Sequence, residues 1–168
     1  MYCKKTFFLQ LFDCALHVVN VAKKEPYRLR SVRFNICLAF CTSKLFNSTY
    51  FTFRLLLLKT IRESNCTKIL ITHGTDTIID TAKYLEKCFI EPKMDKQVVL
   101  TGSFLPEKFK DSDADFNLGM ALGALMSLHE GKSGSQVLIA LNGLLIPAFR
   151  ATRNEDGTFA IQEKTFYS

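Results

Sequence analysis

Glycine is absent from the first 73 residues of this 168-residue chain, although eight glycines follow from Gly74 onward. Average usage of about 7% predicts about five in that stretch. Their lack excludes glycine-rich loops, which turn tightly at strand ends through backbone conformations that residues with a Cβ adopt only at a cost. Acidic residues are scarce in the same part. Residues 1–62 hold 11 Lys/Arg against 2 Asp/Glu, a net of +9, whereas residues 63–168 hold 11 against 14, a net of −3. Composition therefore sets a boundary near residues 54–68. Residues 1–53 form an atypical basic region with eight phenylalanines, one proline (Pro26) and no assignable periodicity; residues 54–168 read as an α/β domain.

Other absences narrow the class of protein. The six cysteines form no CxxC pair, and His17, His73 and His129 stand at no zinc-ligand spacing. No metal and no cofactor are expected, and the thiols read as free in a reducing, cytoplasmic setting. No run approaches the 18 or so apolar residues that span a bilayer, so a soluble protein without membrane association is expected. Lys4 and Lys5 before Phe7–Phe12 have a faint look of a signal peptide, but Asp13 and His17 interrupt it and no small-residue cleavage site follows. Lys132-Ser133 ends like a phosphate-binding loop, yet Gly123 is too far upstream for the GxxxxGKS spacing. Lys23, Lys24, Arg28, Arg30 and Arg33, interleaved with Tyr27 and Phe34, could meet phosphates, but no recognition motif accompanies them. Nucleic acid is not the expected partner.

What is present alternates between helix and strand. Arg54–Glu63 carries Leu55, Leu58 and Ile61 at helical spacing; Lys68–Thr72 is a short β-rich run; Asp76–Lys87 has Ile78, Ile79, Ala82 and Leu85 on one face. Gln97–Thr101 repeats the strand signal, Ser103–Asp113 reads as a loop, and Phe116–His129 continues as a helix behind Asp111, Asp113 and Asp115, whose charges suit its positive end. Gly119 and Gly123 within it would let a neighbour approach closely. Val137–Leu141 is a further strand. This βαβαβ order predicts a three-layer, doubly wound, mostly parallel sheet with right-handed crossovers, in one domain.

Chemistry concentrates where the first of these strands meets its helix, at Ile71-Thr72-His73-Gly74-Thr75-Asp76-Thr77. Open α/β sheets bind ligands at such strand ends. Thr75 offers a hydroxyl, Asp76 a carboxylate for an ammonium group, and the helix N-terminus offers N–H groups to an anion. Both residues could equally serve as helix caps. His73 reads as a residue that orients the turn.

The run resembles the HGTDT motif of the asparaginase/glutaminase family of amidohydrolases. Thr101-Gly102-Ser103 is similar to that family's TGA or TGS step, Asp113–Leu118 to its ADGPFNL segment, and Leu141-Asn142-Gly143 to the strand end before its catalytic lysine. The four elements follow in family order over about residues 54–160. The resemblance implies an asparaginase N-terminal-type domain in its single-domain form, Thr75 and Asp76 as catalytic and substrate-binding residues, L-asparagine as substrate with aspartate and ammonia as products, and a homo-oligomer. Asn47–Thr52 loosely resembles a DSxxxT segment, which would make Ser48 a contact to the substrate's α-carboxylate.

Two departures from the family pattern bear on function. The family's first threonine lies in a glycine-rich N-terminal loop, and residues 1–73 contain no glycine to build one. Residues 1 to about 45 read as a replacement for the first strand and that loop, which would leave the sheet short of a strand. The family's lysine falls nearest Arg153, whose guanidinium can steady a carboxylate or an oxyanion but cannot accept a proton. Two functions therefore stay open: an amidohydrolase acting on L-asparagine, and a catalytically inactive relative that binds an amino acid or a partner.

Overall fold

The computed structural model describes residues 8–11, 14–22, 33–39, 47–90, 94–105, 107–128 and 136–163, with side chains from Tyr50 onward. Its centre is four parallel strands: β3 (Arg33–Ala39), β4 (Lys68–Thr72), β5 (Gln97–Thr101) and β6 (Gln136–Leu141). Strands β1 (Phe8–Leu11) and β2 (Cys14–Ala22) extend the sheet antiparallel beyond β3, and β7 (Leu144–Pro147) closes the other side against β6. The seven-stranded sheet runs β1-β2-β3-β4-β5-β6-β7, in the order of the sequence. A separate hairpin pairs β8 (Ala151–Arg153) with β9 (Phe159–Ile161).

The sequence left residues 1–53 unassigned and implied a missing strand. Instead, β3 pairs with β4 along Phe34↔Lys68 to Leu38↔Thr72, so β4 is bonded on both edges. The difficulty lies in composition: without glycine or spaced prolines, nothing in the sequence marks where these strands begin and end. Helix α1 spans Asn47–Glu63 and crosses the compositional step at residue 53; it starts seven residues before Arg54 because Thr49, Tyr50, Phe51 and Thr52, poor helix formers, are nevertheless helical. Of the basic patch read as a possible phosphate contact, only the backbones of Arg33 and Phe34 lie within the described residues, and His129, Lys132 and Ser133 lie outside them.

The core has two faces. On one, α1 and α2 (Ile78–Ile90) bury Leu57, Ile61, Ile78, Ala82, Leu85 and Phe89 against Ile69, Ile71, Val98, Leu100, Val137 and Ile139. On the other, α3 (Ala114–Ser127) buries Ala121 and Leu125 against Leu70, Val99 and Ala140. The odd positions of β4 and β6 and the even positions of β5 share one face, as register Ile69↔Val98↔Val137 and the two-residue strand period require. Each buried aliphatic side chain contributes roughly 1.5–3 kcal/mol.

This layering corrects the expectation of uniformly right-handed crossovers. The steps β4–α2–β5 and β5–α3–β6 both move one strand in the same direction, yet α2 and α3 lie on opposite faces. The two crossovers must therefore differ in hand. Uniform handedness on a monotonic strand order would place every helix on one face and leave Leu70, Val99 and Ala140 bare; covering both faces outweighs the usual preference. Gly119 and Gly123 also differ from expectation, since nothing lies within 4 Å of a Cβ built on either.

Candidate active site

Strands β4, β5 and β6 end side by side, and each end passes into a segment that the sequence singled out. After Thr72 the β4–β5 ladder continues for one bond, from His73 N–H to the Thr101 carbonyl at 2.7 Å. The chain then leaves the sheet at Gly74, turns through Thr75, Asp76 and Thr77, and enters α2. Beside it, Gly102 follows β5. A Cβ on Gly102 would collide with the His73 carbonyl oxygen and reach within 3.7 Å of the Thr75 methyl. Glycine here is a requirement of close approach between two strand ends.

Asn117, fully buried on α3, ties these ends together. Its Nδ2 donates to the Gly102 carbonyl (3.0 Å) and to Asp113 Oδ2 (2.8 Å), and its Oδ1 accepts from Asn142 N–H (3.1 Å). Asp113 stands at the N-cap of α3 but makes no capping bond through its side chain. Its carboxylate instead accepts the N–H groups of Phe104 and Leu105. Burial acts to raise its pKa, but those N–H groups and the Asn117 amide outweigh burial and hold it below the ordinary carboxylate range. Asn142 and Gly143 have φ of 53° and 74°, the left-handed pair of a two-residue hairpin turn, so β6 folds back into β7 there. The Asn-Gly pair between apolar runs signals this hairpin, a reading that the resemblance to a pre-lysine strand end obscured.

The β8–β9 hairpin brings Arg153 onto the turn. Its Nη2 donates to the Thr75 carbonyl at 2.7 Å, its Nη1 lies 4.0 Å from Asp76 Oδ1, and its guanidinium stacks on the buried Phe159 ring at 4.8 Å. Arg153 is thus anchored, whereas the sequence alone could equally place it in a solvated loop. Thr75, Asp76 and Arg153 meet. Ser48 lies in the first turn of α1, and its side chain is outside the described residues.

Beneath the turn His73 is buried, and burial lowers its pKa despite its bond to the Gly74 carbonyl. Its Nδ1 lies 2.8 Å from that carbonyl and its Nε2 3.0 Å from Thr81 Oγ1. Thr81 in turn meets the Tyr50 hydroxyl at 2.9 Å, which also donates to the Thr77 carbonyl at 3.1 Å. Arg54 sits over the rings of Tyr50 and Tyr84. Sequence reasoning missed Tyr50 and Thr81, for which spacing gives no signal: they stand 31 residues apart on different helices. Among the described residues no group of three or more His, Cys, Asp or Glu side chains could hold a metal ion, and no helix is long and apolar enough to cross a membrane.

Similarity to known proteins covers the same part of the chain. A family model described as "Asparaginase, N-terminal" matches residues 42–165. The chain is 37% identical over 98 residues to a probable periplasmic L-asparaginase of Haemophilus influenzae, covering 58% of this chain and 26% of that protein. It is 32% identical over 93 residues to a glutaminase-asparaginase of Acinetobacter glutaminasificans, covering 55% and 27%, and 31% identical over 83 residues to L-asparaginase 2 of Escherichia coli, covering 49% and 22%. The matched part spans about a quarter of the length of these relatives.

Proposed function

The chain belongs to the asparaginase family through that family's N-terminal domain, and from this premise we propose that it is an amidohydrolase that binds L-asparagine at the Thr75–Asp76 turn and releases aspartate and ammonia. The observation that carries the reading is the meeting of Thr75, Asp76 and Arg153 at the carboxyl ends of parallel strands, each held by a specific contact. An α-amino acid presents an ammonium and a carboxylate one carbon apart. Asp76 and Arg153, 4.0 Å apart and both partly exposed, offer the opposite charges at matching separation. The Thr75 hydroxyl then faces the side-chain amide.

In this scheme the Thr75 oxygen adds to the amide carbon, the oxyanion is held by N–H groups at the N-terminus of α2, ammonia leaves with the hydroxyl proton, and water cleaves the ester to give aspartate. Ser48 is assigned to the α-carboxylate, and the working form is assigned as a cytoplasmic homo-oligomer. Calorimetric titration tests the charge pairing: L-aspartate should bind, while succinate, which lacks the ammonium, and β-alanine, which lacks the α-carboxylate, should not.

A second reading is favoured by Arg153 itself. A permanently charged guanidinium cannot take the Thr75 proton, and Thr75 Oγ1 makes no hydrogen bond to any described residue. A relative that binds the amino acid without hydrolysing it would give the same titrations and release no ammonia.

A further inference from the structure

We propose that Tyr50, Thr81 and His73 form a one-way hydrogen-bond chain that fixes the His73 tautomer and, through the Gly74 carbonyl, positions the Thr75–Asp76 turn. These three are positioning residues, and their link to substrate binding rests on the reading of the turn as the amino-acid site.

The direction follows from counting protons. The Gly74 carbonyl can only accept, so His73 Nδ1 must carry a hydrogen. A neutral ring then has Nε2 free to accept, and the Thr81 hydroxyl must donate to it across 3.0 Å. That uses the only proton on Thr81 Oγ1, so the contact between Thr81 and Tyr50 at 2.9 Å can be made only by the Tyr50 hydroxyl as donor, shared with the Thr77 carbonyl at 3.1 Å. Every bond points from α1 through α2 into the end of β4. Burial raises the Tyr50 phenol above its ordinary pKa and so keeps that first donor protonated.

The surroundings favour the neutral ring. Phe53 meets the imidazole edge-on at 5.7 Å, and the Arg54 guanidinium lies over the Tyr50 ring. A second proton on His73 would sit on Nε2 facing Thr81, and both hydroxyl bonds of Thr81 would have to reverse. The His73 carbonyl meanwhile lies so close to Gly102 that no Cβ fits between them. The residue is held by its ring on one side and by its backbone on the other, which leaves the Gly74 carbonyl little freedom and carries that constraint directly into Thr75.

The test uses the full chain with labelled histidine. Long-range proton–nitrogen NMR, with His73 assigned by its loss in His73→Gln, should show the Nδ1–H tautomer, opposite to the preference of free histidine. Thr81→Val keeps the shape and removes the donor; it should move the Nε2 resonance of His73, shift the amide signals of Thr75 and Asp76, and speed their hydrogen exchange. Thr81→Ser should behave as the parent protein. An Nε2–H tautomer in the parent, or unchanged Thr75 and Asp76 amides in folded Thr81→Val, overturns the proposal. These readouts need no ligand. If the parent binds L-aspartate, Thr81→Val should bind about tenfold more weakly, with Thr81→Ser restoring affinity, and equal binding by Thr81→Val overturns the positioning role. Absence of binding by the parent counts against the amino-acid site alone and leaves the chain to be judged by the tautomer and the amides.

Discussion

Arg153 donates to the carbonyl of Thr75, 78 residues earlier, across 2.7 Å. The bond fastens the β8–β9 hairpin to the turn before α2 and sets the guanidinium beside Asp76. Replacing it by alanine frees the hairpin and removes the only described cation at the turn. Arg153→Ala should weaken L-aspartate binding by about tenfold or more, the effect of losing one charge-assisted bond. Calorimetry on the variant reads it directly.

Gly102 faces the His73 carbonyl with no room for a methyl group. Backbone on both sides leaves no flexible side chain to yield. Gly102→Ala should cost roughly 1–3 kcal/mol, the usual penalty for overpacking, seen as a lower urea midpoint. It should also disturb the amide signals of His73 and Gly74 before those of α3.

Asn117 satisfies Gly102, Asp113 and Asn142 at once. Asn117→Leu keeps the volume, strands the Gly102 carbonyl and the Asn142 N–H and takes one bond from Asp113, so a loss of about 3 kcal/mol is expected, near the upper range for one buried group left unpaired. The same change removes one of the bonds that lower the pKa of Asp113, whose titration should move upward. Unfolding midpoints and carboxyl carbon NMR check the two effects separately.

His73 gives the protein a pH-sensitive element. Burial lowers its pKa in the folded chain from an unfolded value near 6.5. Between the two values the unfolded chain binds the extra proton, so acid favours unfolding. Its contribution is complete above about pH 6.5 and is lost as pH falls through the lowered folded value. Arg54 and Asp80 are the charged groups that act on Tyr50 at the far end of the hydrogen-bond chain. Melting temperature against pH should fall below that point in the parent, and the His73→Gln variant should lack that part of the slope.

The sequence made three of the four parallel strands and the site edge legible because burial there follows simple periods. Ile78, Ala82 and Leu85 mark one helix face, and Lys68–Thr72, Gln97–Thr101 and Val137–Leu141 are short apolar runs bounded by turn residues. Thr75 and Asp76 stand out since a hydroxyl and a carboxylate follow a strand and a glycine. The N-terminal strands were hidden by the lack of glycine punctuation. The opposite hand of the α3 crossover was hidden because handedness is decided by which face needs cover, a property of the whole sheet. Arg153 was ambiguous until Phe159, six residues on, could be seen beneath it. Tyr50 and Thr81 were invisible, because a contact between two helices has no trace in local spacing.

The most direct test of the account is ammonia release from L-asparagine by the purified full-length chain, run beside Thr75→Ala and Asp76→Ala with folding verified by circular dichroism. The account predicts release by the parent protein and none by either variant. A folded parent that releases no ammonia, or a Thr75→Ala variant that releases it at the parent rate, contradicts the assignment of hydrolysis to this turn.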